Sequence, residues 1–397
     1  MKIKIIIGKN FGDEGKGLAV NYFAQQAKTN GLSCICVRHN GGAQAGHTVD
    51  LKDKRFVFSQ LSSASFCGFP TYWADSFLPD MFKLAEEAEN FKTVSGFIPE
   101  IYADKNCRCT YIDDILINMA LETARGDNRH GSCGMGINEA VLRSEKAPLY
   151  LGDIAAMDAD TLYKTLSDIR GEYTSKRLAE LSPYLENIGG YGEMLKDKNV
   201  LFNAAKAMCD AFKYIKIRPL NSLLSYDKII FEGAQGLMLD EFNLEYAPHL
   251  TSSRTGLYEP ARLINALFKG REQPETEVIY ISRTYITRHG QGRLLYENLF
   301  DPAVYGIKDK TNVKNEWQGE LRFAPHGDTA EFTAAVKKDV TESPINAKTL
   351  LMLTHLNETN GCVVTKNGSI PVKTFCAQSE IKKVFNGFIL SSTPFGV

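Results

Sequence analysis

Two glycine-rich stretches near the amino end hold residue types that could do chemistry. The first, Gly8-Lys9-Asn10-Phe11-Gly12-Asp13-Glu14-Gly15-Lys16-Gly17, contains four glycines, two carboxylates and two lysines. Glycines let backbone amides crowd around an anion, and a following helix adds its dipole. The spacing G-x-x-x-x-G-K-[ST] is absent, so this is not the standard phosphate loop. Asp13 and Glu14 would repel a phosphate unless a metal stands between, or unless one of them is a base. The second stretch is His39-Asn40-Gly41-Gly42-Ala43-Gln44-Ala45-Gly46-His47-Thr48. Its His47 could act as a general acid or donate a hydrogen bond to a phosphate.

These loops need elements to hold them. Met1 to Ile7 reads as a short β-branched strand and Leu18 to about Lys28 as an apolar helix. Cys34-Ile35-Cys36-Val37-Arg38 reads as a second strand, so both loops follow strands and should meet at one sheet edge. Further helices are expected over Met81 to Phe91, Ile112 to Arg125, Asp160 to Arg170 and Ala204 to Phe212. Val278 to Ile281 and Leu350 to Leu353 read as strands, the second without a β-branched residue. The expected class is α/β: a mostly parallel central sheet flanked by helices, with helical insertions. One domain over residues 1–397 is preferred, with a helical excursion at about 160–225.

Composition excludes several classes. A formal net charge of −1 gives no basic field for nucleic acid. No run reaches the ~18 apolar residues of a membrane helix. The amino end lacks a signal-peptide pattern. The nine cysteines have no regular spacing. Cys34/Cys36 and Cys107/Cys109 lie along strand-like runs, which suits buried reduced thiols in a cytoplasmic protein better than chelation.

Gly12-Asp13-Glu14-Gly15-Lys16-Gly17 and Gly41-Gly42-Ala43-Gln44-Ala45-Gly46-His47-Thr48 resemble the two amino-terminal signatures of the adenylosuccinate synthetase family. The likeness extends from residue 5 to 394. It implies a P-loop-NTPase-like fold and a cytoplasmic homodimer. It also implies a ligase that joins L-aspartate to C6 of a purine nucleoside monophosphate, using GTP or ATP and Mg²⁺. By the resemblance, Asp13 is the base and a metal ligand with the carbonyl of Gly46, and Lys16 and His47 serve the phosphoryl group. Gly12, Glu14, Gly15, Gly17, Gln44, Gly46 and Thr48 would line the nucleotide and its phosphates.

Later segments follow the family unevenly. In His130-Gly131-Ser132-Cys133-Gly134-Met135-Gly136, Ser132 and Cys133 fall on two threonines that hold a 5′-phosphate, and Met135 on an arginine. Arg143 or Lys146 could take the place of an arginine that crosses a dimer interface. Phe231-Glu232-Gly233-Ala234-Gln235-Gly236 matches residue for residue and assigns Gln235 to the acceptor base. Thr251, in Leu250-Thr251-Ser252-Ser253, matches a phosphate ligand. Thr287-Arg288-His289-Gly290-Gln291-Gly292 resembles a family segment, but the run of arginines that binds aspartate is reduced to Arg322. Arg322 with Arg288 or Arg293 could replace it. Thr354-His355-Leu356-Asn357 falls on a guanine-reading motif whose Asp is here Asn357 and whose Lys is His355; Ser392 falls in the last base-contacting turn. An Asn carries a donor as well as an acceptor and could admit adenine. Inosinate is the expected acceptor, because Asp13 is retained. Two alternatives stand: 2-aminoadenylosuccinate synthesis from (d)GMP with ATP, as in related viral enzymes, and a non-catalytic nucleotide-binding paralogue.

Overall fold

The computed structural model describes residues 1–126, 134–185, 188–307 and 320–393. Nine parallel strands form the main sheet. Their order is Gly387–Leu390, Lys348–Thr354, Glu275–Arg283, β1 (Lys2–Gly8), Lys228–Glu232, β2 (Cys34–Arg38), Thr71–Trp73, Ile101–Ala103 and Ile215–Ile217. β1 and β2 are not direct neighbours, because Lys228–Glu232 lies between them. The loops after all three strands therefore open side by side at one edge.

The strands read as near-continuous apolar runs because both sheet faces are covered. On β1, Ile3, Ile5 and Ile7 pack with Ile264, Phe332 and Val336, while Ile6 packs with Val20, Phe23 and Ala24 on the opposite face. Burying each such isoleucine is worth about 1.5–3 kcal/mol. Helix α1 (Lys16–Thr29) supplies Val20, Phe23 and Ala24, and begins two residues before the expected Leu18. The Lys348–Thr354 strand forms without β-branched residues at its centre, because Leu351, Met352 and Leu353 are fully buried there.

Some expected boundaries move for local reasons. Helix α2 spans Leu84–Ser95 rather than Met81 to Phe91. The Asp80 carboxylate takes the amides of Phe82 (2.8 Å) and Lys83 (3.2 Å) into a turn before it. Helix Lys198–Ala211 starts ahead of the expected Ala204, capped by Asp197 on the Asn199 amide at 2.7 Å. Within the expected helical excursion of about 160–225 lie helices Ala159–Ile169, Ser175–Leu181 and Lys198–Ala211, the edge strand Ile215–Ile217 and the 3-10 helix Leu220–Ser225. Cys107 and Cys109 lie in a loop, not a strand. Both are buried, and burial pushes the Cys109 thiol up to about 12. Among the described residues no group of three His, Cys, Asp or Glu side chains could cage a metal.

Helix α3 (Ile112–Arg125) packs against α4 (Ile137–Ser144), and a buried ion pair joins them. Arg143 donates from Nε to both Asp114 oxygens at 3.0 and 3.1 Å, and from Nη2 to Oδ2 at 3.0 Å. Its remaining donors reach the carbonyls of Ala147 (2.7 Å) and Cys109 (2.8 Å). Arg143 is fully buried, which corrects the expectation that it could cross to another subunit. Removing one partner strands a buried charge, which costs about 3–5 kcal/mol. Arg143→Met should lower unfolding free energy by that order, read as a shift of the urea midpoint.

Candidate active site

The first loop closes on itself. The Glu14 carboxylate accepts from the amides of Asn10 and Gly12, each at 2.9 Å, and lies 3.5 Å from Lys16 Nζ. An internal carboxylate thus fills the amide nest expected for a phosphate, and Glu14 is only 2% exposed. This differs from its expected place among the phosphate ligands. Lys16 Nζ also donates to the Gly12 carbonyl. Asp13 is left facing the cleft, its side chain 27% exposed, with His289 Nε2 3.6 Å from Oδ2.

The loop is pressed against the turn after Lys228–Glu232. A Cβ on Gly8 would lie 2.4 Å from the Gln235 carbonyl, and one on Gly236 2.4 Å from the Asn10 carbonyl. Only glycine fits at these two crossings. Gln235 adopts φ 55° and lines the cleft, and its Oε1 has no partner among the described residues. On the other side, α1 meets the second loop so closely that a Cβ on Gly17 would lie 2.7 Å from the Thr48 carbonyl. Thr48 thus contributes backbone packing, and neither it, Gly15 nor Gly17 lines the cleft.

His47 does line it. His47 Nδ1 is 2.8 Å from Glu232 Oε1, and Glu232 also accepts from the Ser63 amide at 3.0 Å and from the Ser63 hydroxyl. Burial pulls the imidazole down to about 4, against the pull of Glu232. Burial opposes ionisation of Glu232, but His47, Arg38 and the Ser63 bond outweigh it and hold the carboxyl at about 2. At neutral pH the pair is therefore a carboxylate and a neutral imidazole. Nδ1–H donates to Glu232 and leaves the Nε2 lone pair free. Glu232 was visible in its motif, but nothing in the sequence tied it to His47.

The cleft has a volume of about 1060 Å³. Gly12, Asp13, Lys16, Gln44, Gly46, His47, Gln235, Thr251 and Arg288 border it. Gln44, like Gln235, presents an amide oxygen without a partner among the described residues. Met135, Arg125 and Arg177 form part of the far wall. Ser252 joins that wall through a 2.6 Å bond to Asn138. Ser132 and Cys133 lie outside the described residues.

The three arginines expected near aspartate separate. Arg288 is buried in the cleft wall, stacked on Phe11 with its guanidinium carbon 4.5 Å from the ring centre. It donates to the carbonyls of Arg293 (2.6 Å) and His249 (3.3 Å), and its Nε has no partner among the described residues. Burial, then Arg322, pull it down to about 10. Arg322 does not line the cleft. It pairs with Glu297 and donates to the carbonyls of Gly290 (3.1 Å) and Gly292 (2.8 Å), so it clamps the loop that carries His289. Arg293 lies at the surface with Glu245 at 3.0 Å. His289, whose buried Nδ1 has no partner among the described residues, was not singled out from sequence; a histidine between Arg288 and Gly290 was its only signal.

A second group sits at the neighbouring sheet edge. His355 has φ 62°, and its Nδ1 is 2.8 Å from Thr354 Oγ1. Asn357 is exposed in the following turn, and Ser392 is exposed in the segment after Gly387–Leu390. The Leu356 amide donates to the Ser391 carbonyl at 3.3 Å, which ties the two segments together. Thr354 Oγ1 donates to the Glu14 carbonyl at 2.8 Å, so this group abuts the first loop. Lys146 is exposed and lies outside the cleft.

These ionisations fix a pH dependence. His47 is lowered from 6.5 to about 4, and burial lowers His39 and His326 to about 3. Below pH 6.5 the unfolded chain takes up protons that the folded chain refuses, so stability falls as pH drops. Glu232, lowered from 4.5 to about 2, extends the loss below pH 4.5. Each proton difference is worth about 1.4 kcal/mol per pH unit. His47→Asn should therefore lose less stability than the parent between pH 6.5 and pH 5, measured by urea denaturation at both values.

The adenylosuccinate synthetase family model matches residues 5–318. The chain is 26% identical over 349 residues to adenylosuccinate synthetase of Finegoldia magna, covering 86% of this chain and 77% of that protein. It is 25% identical over 404 residues to the Borrelia recurrentis enzyme of the same name, covering 98% and 87%. Among solved structures, fully ligated adenylosuccinate synthetase from Plasmodium falciparum aligns with a TM-score of 0.68 at 17% identity, over 98% of this chain and 97% of that one. Succinoaminodeoxyadenylate synthetase of cyanophage S-2L, bound to dGMP and dATP, aligns with a TM-score of 0.61 at 14% identity, over 99% and 93%. The two structures share the fold. The chain belongs to the adenylosuccinate synthetase family, a family of carbon–nitrogen ligases in purine biosynthesis.

Proposed function

We propose that this chain joins L-aspartate to C6 of inosinate, driven by a nucleoside triphosphate and passing through a 6-phosphoryl purine. The observation that carries the reading is the division of labour between adjacent carboxylates. Glu14 is enclosed by its own loop's amides, while Asp13 faces the cleft with Lys16, His47 and Gln235. In this reading Gln235 holds the purine edge and Asp13 removes the N1 proton. The 6-oxygen then attacks the γ-phosphorus. An O6–P bond forms and the bond to the leaving diphosphate breaks. Lys16 offsets the phosphoryl charge, and His47, whose Nε2 carries a lone pair here, donates a hydrogen bond to the triphosphate once it takes up a proton at Nε2. The neutral amine of aspartate next attacks C6, the C6–O6 bond breaks, inorganic phosphate leaves with the proton held by Asp13, and the new C6-bound nitrogen loses its extra proton to water.

Magnesium suits this cleft. Mg²⁺ keeps several waters and takes one or two carboxylates plus substrate phosphates. Asp13 and the carbonyl of Gly46 border the cleft together, and either could contribute. The ion would neutralise phosphate charge. For the aspartate carboxylates we assign Arg288, since Arg322 and Arg293 are engaged elsewhere. A cytoplasmic homodimer belongs to the same reading, with exposed Lys146 as the remaining cross-subunit cation. No described helix is long and apolar enough to cross a membrane.

A second reading has (d)GMP as acceptor and ATP as donor. It is favoured by Asn357 at the base-reading position and by the fold shared with the cyanophage enzyme. Retention of Asp13 favours inosinate. Phosphate release, measured for each nucleoside monophosphate with and without aspartate, separates the two. Release requiring both inosinate and aspartate is expected. Release with (d)GMP instead would establish the second reading, and none with any mixture would leave a non-catalytic nucleotide binder. Asp13→Ala should cut kcat by about 10²–10⁴ while nucleotide still binds.

The donor base supplies a further test. An Asp accepts from two guanine donors, whereas an Asn can accept from the adenine amine and donate to N1. ATP should support turnover at least as well as GTP. Asn357→Asp should shift kcat/KM toward GTP by about 1–3 kcal/mol. A GTP preference unchanged by the substitution would place Asn357 away from the base.

A further inference from the structure

Behind the first loop lies a second cavity, of about 430 Å³. Phe11 is shared by both cavities. Arg288 stacks on its ring and lines the nucleotide cleft, and Tyr246 meets it edge-on at 5.3 Å and lines the second cavity. The volume lies within the range of small-molecule sites, and apolar side chains such as Leu294 and Phe332 supply much of the lining.

One group does not suit an apolar box. Lys9 is 1% exposed and lines this cavity. Its Nζ donates to Asn10 Oδ1 at 3.0 Å and rests 3.8 Å from the centre of the Phe332 ring. An ammonium has three donors, and among the described residues no second hydrogen bond is made by this one. Burial pulls the amine down to about 7, only partly opposed by Glu14. Most charges around the rim are answered by a counter-ion, Lys338 by Glu342 at 3.9 Å among them, while Asp339 is held by neutral donors. Asp240 holds Arg254 at 3.2 Å, Glu245 holds Arg293 at 3.0 Å, and Glu331 holds Lys366 at 2.7 Å. Asp339 accepts from the Tyr280 hydroxyl at 2.7 Å and from the Leu257 amide. His326 is held on the Arg283 carbonyl at 2.9 Å.

We propose that this cavity is a binding site for a small carboxylate with an aromatic or otherwise apolar body, seated with its carboxylate on Lys9 Nζ. The body packs against Phe332, Tyr246 and Leu294, and the carboxylate restores the charge pairing that burial denies the amine. Occupancy is felt in the nucleotide cleft by two contacts. Asn10, the partner of Lys9, gives its amide to Glu14 at 2.9 Å and its Nδ2 to Ser282 at 2.9 Å. Phe11 carries Arg288 on its ring. The site does not depend on which nucleotide the cleft accepts.

Benzoate is a suitable probe, with benzylamine as its cationic counterpart. Ligand-detected NMR on the full chain should show benzoate binding with Kd on the order of 1 mM, within reach of about nine heavy atoms. Benzylamine should not bind. Lys9→Met, folded by circular dichroism, should bind benzoate at least tenfold more weakly. Should that variant fail to fold, Ala335→Phe, one helical turn from Phe332, fills the cavity and should abolish binding with Lys9 intact. Equal binding of benzoate and benzylamine, unchanged binding in either variant, or no binding to the parent chain would each overturn the proposal. The readout is binding, so a negative result leaves the ligase reading untouched.

Discussion

The site rests on a crossing of two backbones. The loop after β1 and the turn after Lys228–Glu232 run so close that a methyl group on Gly8 or Gly236 would enter the other strand's carbonyl. The contact is cemented by the Met238 amide on the Asn10 carbonyl at 2.9 Å and the Gly233 amide on the Ile6 carbonyl at 3.0 Å. Asn40 ties in the third loop by exchanging both amide groups with Ala234, at 2.8 and 3.1 Å. With these loops locked, the strained φ of Gln235 is overdetermined by its neighbours, and its side chain is aimed rather than free.

Charge inside this frame is largely settled before any ligand arrives. Glu14 is taken by loop amides, Glu232 by His47 and Ser63, Arg143 by Asp114, and Arg322 by Glu297 and two loop carbonyls. A buried charge without a partner is too costly to leave standing. Among the described residues bordering the cleft, the groups left available mark where its ligand belongs: Asp13, Glu122 Oε2, the two amide oxygens of Gln44 and Gln235, His289 Nδ1 and Arg288 Nε. The clamp role of Arg322 also explains how one arginine of a reduced run can persist without touching the cleft. It holds the Gly290 and Gly292 carbonyls, and with them the position of His289.

The sequence by itself determined the local frame. Glycine spacing, the β-branched run before it and the apolar run after it specify strand, loop and helix, since backbone conformation answers mainly to near neighbours. The same holds for β2 and for Ile112–Arg125, whose bounds are as read from sequence. Tertiary structure alone decided which charges are free. His47 and Glu232 are 185 residues apart in the chain, and Arg322 and Gly290 are 32 apart. Nothing local told Glu14 from Asp13, marked Arg143 as enclosed, or placed Lys9 at a cavity wall. Ionisable groups take their roles from whatever the fold brings within a few ångströms, because Coulomb and desolvation energies depend on distance in space rather than on distance along the chain.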